Sequence, residues 1–164
     1  MTDPIEVAMV VNGAEHVAAV EARKTLADFL REDCLTTGVH LGCEQGACGA
    51  CTVILDGQAV RSCLLFAVQA SGSAVTTAEG LAGADGSLNV VQEAFRECHG
   101  LQCGFCTPGL VVTVTAYLAD HPDPGRDEIR SALSGNLCRC TGYQGIIAAV
   151  EQAAVIAALQ GGIS

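Results

Sequence analysis

The chain has 164 residues, half of them apolar, and eighteen acidic against eight basic side chains leave a net charge of −10. With Lys24 as its sole lysine it offers no basic face for phosphates, which excludes a nucleic-acid partner. No stretch approaches the ~18 uninterrupted apolar residues of a membrane span, and the first residues lack a basic, then apolar, secretory pattern, so no membrane insertion is expected and the chain reads as cytoplasmic.

Residues 6–11 and 16–20 are β-type runs around Asn12-Gly13, a strong hairpin signal. Thr25 followed by Asp28 is a capped helix start whose apolar stripe is Leu26, Phe29 and Leu30, and the helix should end near Asp33. A glycine-rich stretch over 38–49 follows. A second hairpin is expected with strands 52–55 and 58–62 around Asp56-Gly57, and 74–76 adds a short strand. Strands, one helix and a long loop make this half an α+β domain, assigned to residues 1–79.

Residues 78–87, rich in glycine and alanine, read as a linker, after which the periodicity turns helical. Four helices are expected, over 90–98, 108–119, 126–133 and 145–159, with Thr107-Pro108 as one start and Pro122 and Pro124 in the loop that follows it. Residues 80–164 are therefore a small all-α bundle with cysteines at its helix ends. Two domains of about 80 residues are marginal without staples, and metal centres can supply them, because ligand binding and folding share one free energy. The apolar content and a mean hydropathy of +0.40 fit either a large interface with other subunits or an Ala- and Val-rich core.

Ten cysteines in a reducing compartment point to metal or redox work more than to disulfides. Cys43-x4-Cys48-x2-Cys51, with Cys63 further on, has the spacing of a plant-type [2Fe-2S] site. Gly42, Gly46 and Gly49 suit close backbone approach and positive φ, so that amides can point at sulfur. A zinc ribbon would need a second cysteine pair nearby, and Cys63 stands alone.

The second set is ambiguous by spacing. Cys98-x4-Cys103-x2-Cys106 repeats the ferredoxin pattern, while Cys138-x-Cys140 lies downstream after a Gly135-Asn136 turn, so five thiols compete for four positions. Cys98 reads more readily as a buried thiol on the apolar face of its helix than as a ligand.

GCEQGACGACT over 42–52, HGLQCGFCTPG over 99–109 and GNLCRCTGY over 135–143 together resemble the small iron-sulfur subunit of the xanthine oxidase family of molybdenum hydroxylases. The resemblance implies a plant-type ferredoxin-like (β-grasp) domain followed by a four-helix-bundle domain, each with one [2Fe-2S] cluster. Carried onto this chain, it implies Cys43, Cys48, Cys51 and Cys63 as ligands of a cluster near FAD. It likewise implies Cys103, Cys106, Cys138 and Cys140 for a cluster near molybdenum, with Gln102 and Cys140 approaching the pterin and Cys34 and Cys98 spare. The partners it implies are a large subunit binding molybdopterin in its cytosine dinucleotide form and a medium FAD subunit, in a dimer of heterotrimers. The substrate would be an N-heteroaromatic or an aldehyde, with carbon monoxide a lesser option.

No catalytic residue is expected here: the chain lacks a dinucleotide fingerprint, and His16, His40, His99 and His121 are scattered. The alternative is a stand-alone two-cluster electron shuttle, against which the helical half argues. Arg139 reads as a partner for cluster charge or as a solvated surface arginine.

Overall fold

The structure is a computed structural model that describes residues 3–162. β1 (Ile5–Val11) and β2 (Ala14–Val20) pair antiparallel through a two-residue turn in which Asn12 and Gly13 both adopt positive φ, 52° and 83°. That turn geometry follows the right-handed twist of the flanking strands. β3 (Thr52–Leu55) and β4 (Gln58–Arg61) repeat it around Asp56 and Gly57. β5 (Ala74–Thr76) lies between the hairpins, parallel to β1 and antiparallel to β3, giving the sheet order β2-β1-β5-β3-β4.

Alternation along β1 turns Val7, Met9 and Val11 inward, onto α1 (Leu26–Glu32). Seven residues are too few for a stable isolated helix. Burial of Leu26, Phe29 and Leu30, worth about 2 kcal/mol each, holds it in place, and the Thr25 hydroxyl caps it by accepting from the Asp28 amide at 3.0 Å. Cys51 and Cys63 belong to this same core.

The bundle consists of α2 (Val90–Glu97), α3 (Thr107–Asp120), α4 (Arg126–Leu133) and α5 (Gln144–Gln160). Its separate core gathers Val91, Phe95, Leu110, Leu118, Ile129 and Ile146. All four expected helices are present within a residue or so at each end, as are the five strands, except that β2 begins two residues before its expected start; the expected strand to residue 62 ends at Arg61. The protein is thus a ferredoxin-like domain followed by a helical bundle.

The expected linker over 78–87 is in part docked structure. Ala78–Leu81 forms a 3-10 turn, held by an Asn12 side chain that donates to Thr77 Oγ1 and accepts from the Thr77 amide, both at 2.9 Å, and by Glu79, whose carboxylate accepts from the Gly38 amide at 2.7 Å. These anchors lie far away in sequence, so glycine and alanine content alone could not reveal them. Two more 3-10 turns, Ser62–Leu64 and Ala67–Ala70, connect β4 to β5, and the first carries Cys63. Among the described residues no helix is long and apolar enough to cross a membrane.

Candidate metal centres

The loop after α1 brings Cys43, Cys48 and Cys51 beside Cys63, as two facing pairs. Cys43 and Cys48 form the outer pair: their thiols are close enough to interact, and the Cys48 amide donates to Cys43 Sγ at 3.3 Å. Cys51 and Cys63 form the inner pair, 2% and 8% exposed. Gly46 and Gly49 have φ of +77°, the conformation that lets the loop curl around the sulfurs. At Gly42 φ is not positive; there a Cβ would come within 3.2 Å of Cys48 Sγ, so close approach is what the residue permits.

Electrostatics differ across this site. Amides of Gln45 and Cys48, the Cys48 thiol and the Ala47 amide stabilise the Cys43 thiolate and lower its pKa to about 7. Burial, then the neighbouring Cys51 thiol, push Cys63 up to about 11 despite a hydrogen bond from Gly46. A buried thiol of this kind loses its proton when a metal takes the proton's place.

The second site is assembled from helix ends. Cys106 is the N-cap residue of α3, next to the positive end of that helix, and pairs with Cys138; Cys103 pairs with Cys140. The inner pair is half-buried and packs on the bundle core, and burial followed by the Cys138 thiol pushes Cys106 up to about 12. The outer pair is exposed. Cys138 responds in the opposite direction: its burial is outweighed by hydrogen bonds from the Thr141 hydroxyl, the Thr141 and Cys140 amides and the Cys106 thiol, which lower its pKa.

The donor chemistry of both sites fits a two-iron cluster. Each has four thiols in two pairs, as two irons with two thiolates apiece require.

Cys98 stands apart from these pairs. It is the C-cap residue of α2, half-buried where a position on the apolar helix face was expected, and its thiol donates to Gln152 Oε1 on α5 at 2.9 Å. Cys34 lies under α1 beside Asp33 and Lys24, with burial and then Asp33 pushing its thiol up to about 11. Gln102 and Arg139 are exposed, and Arg139 makes no ion pair among the described residues.

A polar network joins the two sites. The Leu137 amide donates to Cys48 O at 2.8 Å, so the residue before Cys138 is hydrogen-bonded to the peptide of a first-site cysteine. Buried Asn136 donates to Gly49 O at 3.1 Å. Arg61 donates to Gly135 O at 2.7 Å, to Asn136 Oδ1 at 3.2 Å and to the Thr52 hydroxyl. A Cβ on Gly109 of α3 would meet Gly49 O at 2.3 Å, so only glycine allows this approach. His40 stacks on Phe105 at 4.9 Å and bonds its carbonyl oxygen at 2.7 Å. The roles of Arg61, Thr141 and Tyr143 were not legible in the sequence, and Asn136 was legible only as a turn residue; for Thr141 and Tyr143 the only signal was their place in the CTGY segment after Cys138.

Two family models match the chain: a 2Fe-2S iron-sulfur cluster binding domain over residues 9–82 and a [2Fe-2S] binding domain over 77–151. The nicotine 6-hydroxylase small subunit of Paenarthrobacter nicotinovorans is 53% identical over 152 residues, covering 93% of this chain and 91% of that one. Caffeine dehydrogenase subunit gamma of a Pseudomonas species is 55% identical over 148 residues, 88% of each chain. Among solved structures, a chain of quinoline 2-oxidoreductase from Pseudomonas putida superposes with a TM-score of 0.93 at 48% identity, covering 99% of this chain and all of that one.

Proposed function

The chain belongs to the small iron-sulfur subunits of the xanthine oxidase family of molybdenum hydroxylases, and on that premise we propose that it carries electrons from a molybdopterin-bearing subunit to a flavin-bearing one. It is an iron-sulfur subunit of an oxidoreductase complex with two [2Fe-2S] binding domains, read here as residues 1–79 and 80–164. Cys43, Cys48, Cys51 and Cys63 hold one cluster, and Cys103, Cys106, Cys138 and Cys140 the other. Each cluster supplies a one-electron store. The twice-repeated arrangement of four thiols in two facing pairs is the observation that carries this reading.

The family resemblance supplies the direction, and exposure supports it. Cys103, Cys140 and Gln102 lie open on the bundle surface, which supports contact there with the pterin of a large subunit. The first site, its inner pair closed off, then serves the FAD of a medium subunit. Hydroxylation takes place on the partner, and this chain contributes no catalytic residue. The complex is a cytoplasmic dimer of heterotrimers whose pterin is the cytosine dinucleotide form. Its substrate is an N-heteroaromatic, in line with the nicotine, caffeine and quinoline enzymes to which the chain is similar.

The test is metal analysis and EPR of the complex purified through this chain. About four iron and four sulfide per chain, two distinct signals after reduction, and recovery of a molybdenum-binding and a flavin-binding chain are expected. Stoichiometric zinc would overturn the cluster reading, and a homogeneous chain free of partners would favour a shuttle.

A further inference from the structure

The hydroxyl of Thr141 occupies a place that no ligand role explains. Its Oγ1 lies 3.2 Å from Cys138 Sγ, and the Tyr143 amide donates to the same oxygen at 3.1 Å. One lone pair of the oxygen is thereby engaged and its proton is left free for the sulfur. A cysteine bound to iron is a thiolate and cannot donate, so the hydroxyl is the donor in that state. The tip of the same segment is fixed independently: Tyr143 adopts φ of +65°, its hydroxyl accepts from the Cys138 amide at 2.8 Å, and it donates to Asn136 O at 2.8 Å. Cys138 belongs to the inner, half-buried pair, where a hydrogen bond is less screened by water. At Cys43 the corresponding contacts come from backbone amides and a cysteine thiol, and at Cys63 from a backbone amide.

We propose that Thr141 is a positioning residue that raises the reduction potential of the bundle cluster by donating a hydrogen bond to Cys138 Sγ. The proposal rests on the reading of Cys138 as a ligand. One-electron reduction adds negative charge that the thiolate sulfurs share, and a donor aimed at sulfur stabilises the reduced state more than the oxidised one. A side chain can be altered by a single substitution, whereas the amide donors of the loop site cannot. The two clusters can therefore be poised separately, with Thr141 biasing electrons toward the bundle.

An anaerobic redox titration of the intact complex, followed by EPR, tests this with T141V, T141S and C138S. T141V keeps the shape and removes the donor. Its bundle signal should remain while the midpoint shifts to lower potential, by an amount equal to roughly a tenfold fall in the bundle cluster's share of the electron relative to the loop cluster. The loop cluster should not move, and T141S should restore the wild-type midpoint. Should T141V fail to load the cluster, T141A carries the same expectation. An unchanged midpoint in either loaded variant overturns the proposal, and so does failure of both to load, which would make the hydroxyl structural. C138S separates this from the ligand reading. A normal bundle signal in C138S removes that reading and the proposal with it; loss of the signal in C138S with an unmoved T141V midpoint removes the proposal alone.

Discussion

In the loop site the inner cysteines, Cys51 and Cys63, are sealed into the same core as Phe29 and Leu30, and glycines at positive φ curl the backbone around the sulfurs. In the bundle site the inner pair is only half-buried, the outer pair is exposed, and the thiols sit at the start of α3 and in the turn before α5, fixed by the side chains of Thr141 and Tyr143. The same donor set is thus held in one case by a local loop and in the other by tertiary packing. A site made by a loop depends on backbone conformation; a site made by helix ends depends on neighbouring side chains and is open to a partner.

The largest effect should come from the inner cysteines themselves. Cys51→Ser and Cys106→Ser should each halve the iron content, from about four to about two per chain, and each should abolish a different EPR signal. C51S should also destabilise the ferredoxin-like domain more than C106S does the bundle, because Cys51 lies in a closed core. Equal loss of stability in chemical unfolding would break the comparison.

Gly49 is where the two regions meet, at φ +77° and with a would-be Cβ 2.5 Å from Gly135 O. G49A should therefore cost about 3 kcal/mol, through backbone strain and a clash that cannot relax, and should disturb both EPR signals. A variant perturbed only at the loop signal would show that the contact does not couple the sites.

Arg61 holds the second-site turn through Gly135 O and Asn136. R61M leaves those acceptors without their charged donor and should cost about 2 kcal/mol of stability in denaturant. Both signals should persist while the magnetic coupling between the reduced clusters changes. The smallest effect belongs to Cys98: C98S keeps a donor for Gln152, should change stability by less than about 1 kcal/mol, and should leave both signals intact. Loss of either signal in C98S would place it among the ligands.

Much of this architecture was legible locally. Asn12-Gly13 and Asp56-Gly57 determine their hairpins because each pair tolerates the positive φ the turn demands, and Thr25 and Asp28 announce α1 because the cap lies within one helical turn. The loop site was equally plain, since three of its cysteines fall within nine residues. Of the linker over 78–87, only the docking of Ala78–Leu81 was hidden, because its anchors, Asn12 and Gly38, are 65 and 41 residues away from their partners.

Spacing alone could not divide the second set of thiols. Cys98 completes a false ferredoxin repeat, and only the packing of α2 on α5 turns it toward Gln152 while the turn at Gly135 and Asn136 brings Cys138 and Cys140 to Cys106 and Cys103. The sequence by itself determined the number of sulfurs, the hairpins, the helices and the loop that wraps one site, since each depends on residues a few positions apart. The tertiary structure alone decided which distant thiols meet, how Arg61 and Asn136 bind the sites together, and that Thr141 faces a sulfur, because those contacts depend on where packed helix ends come to rest.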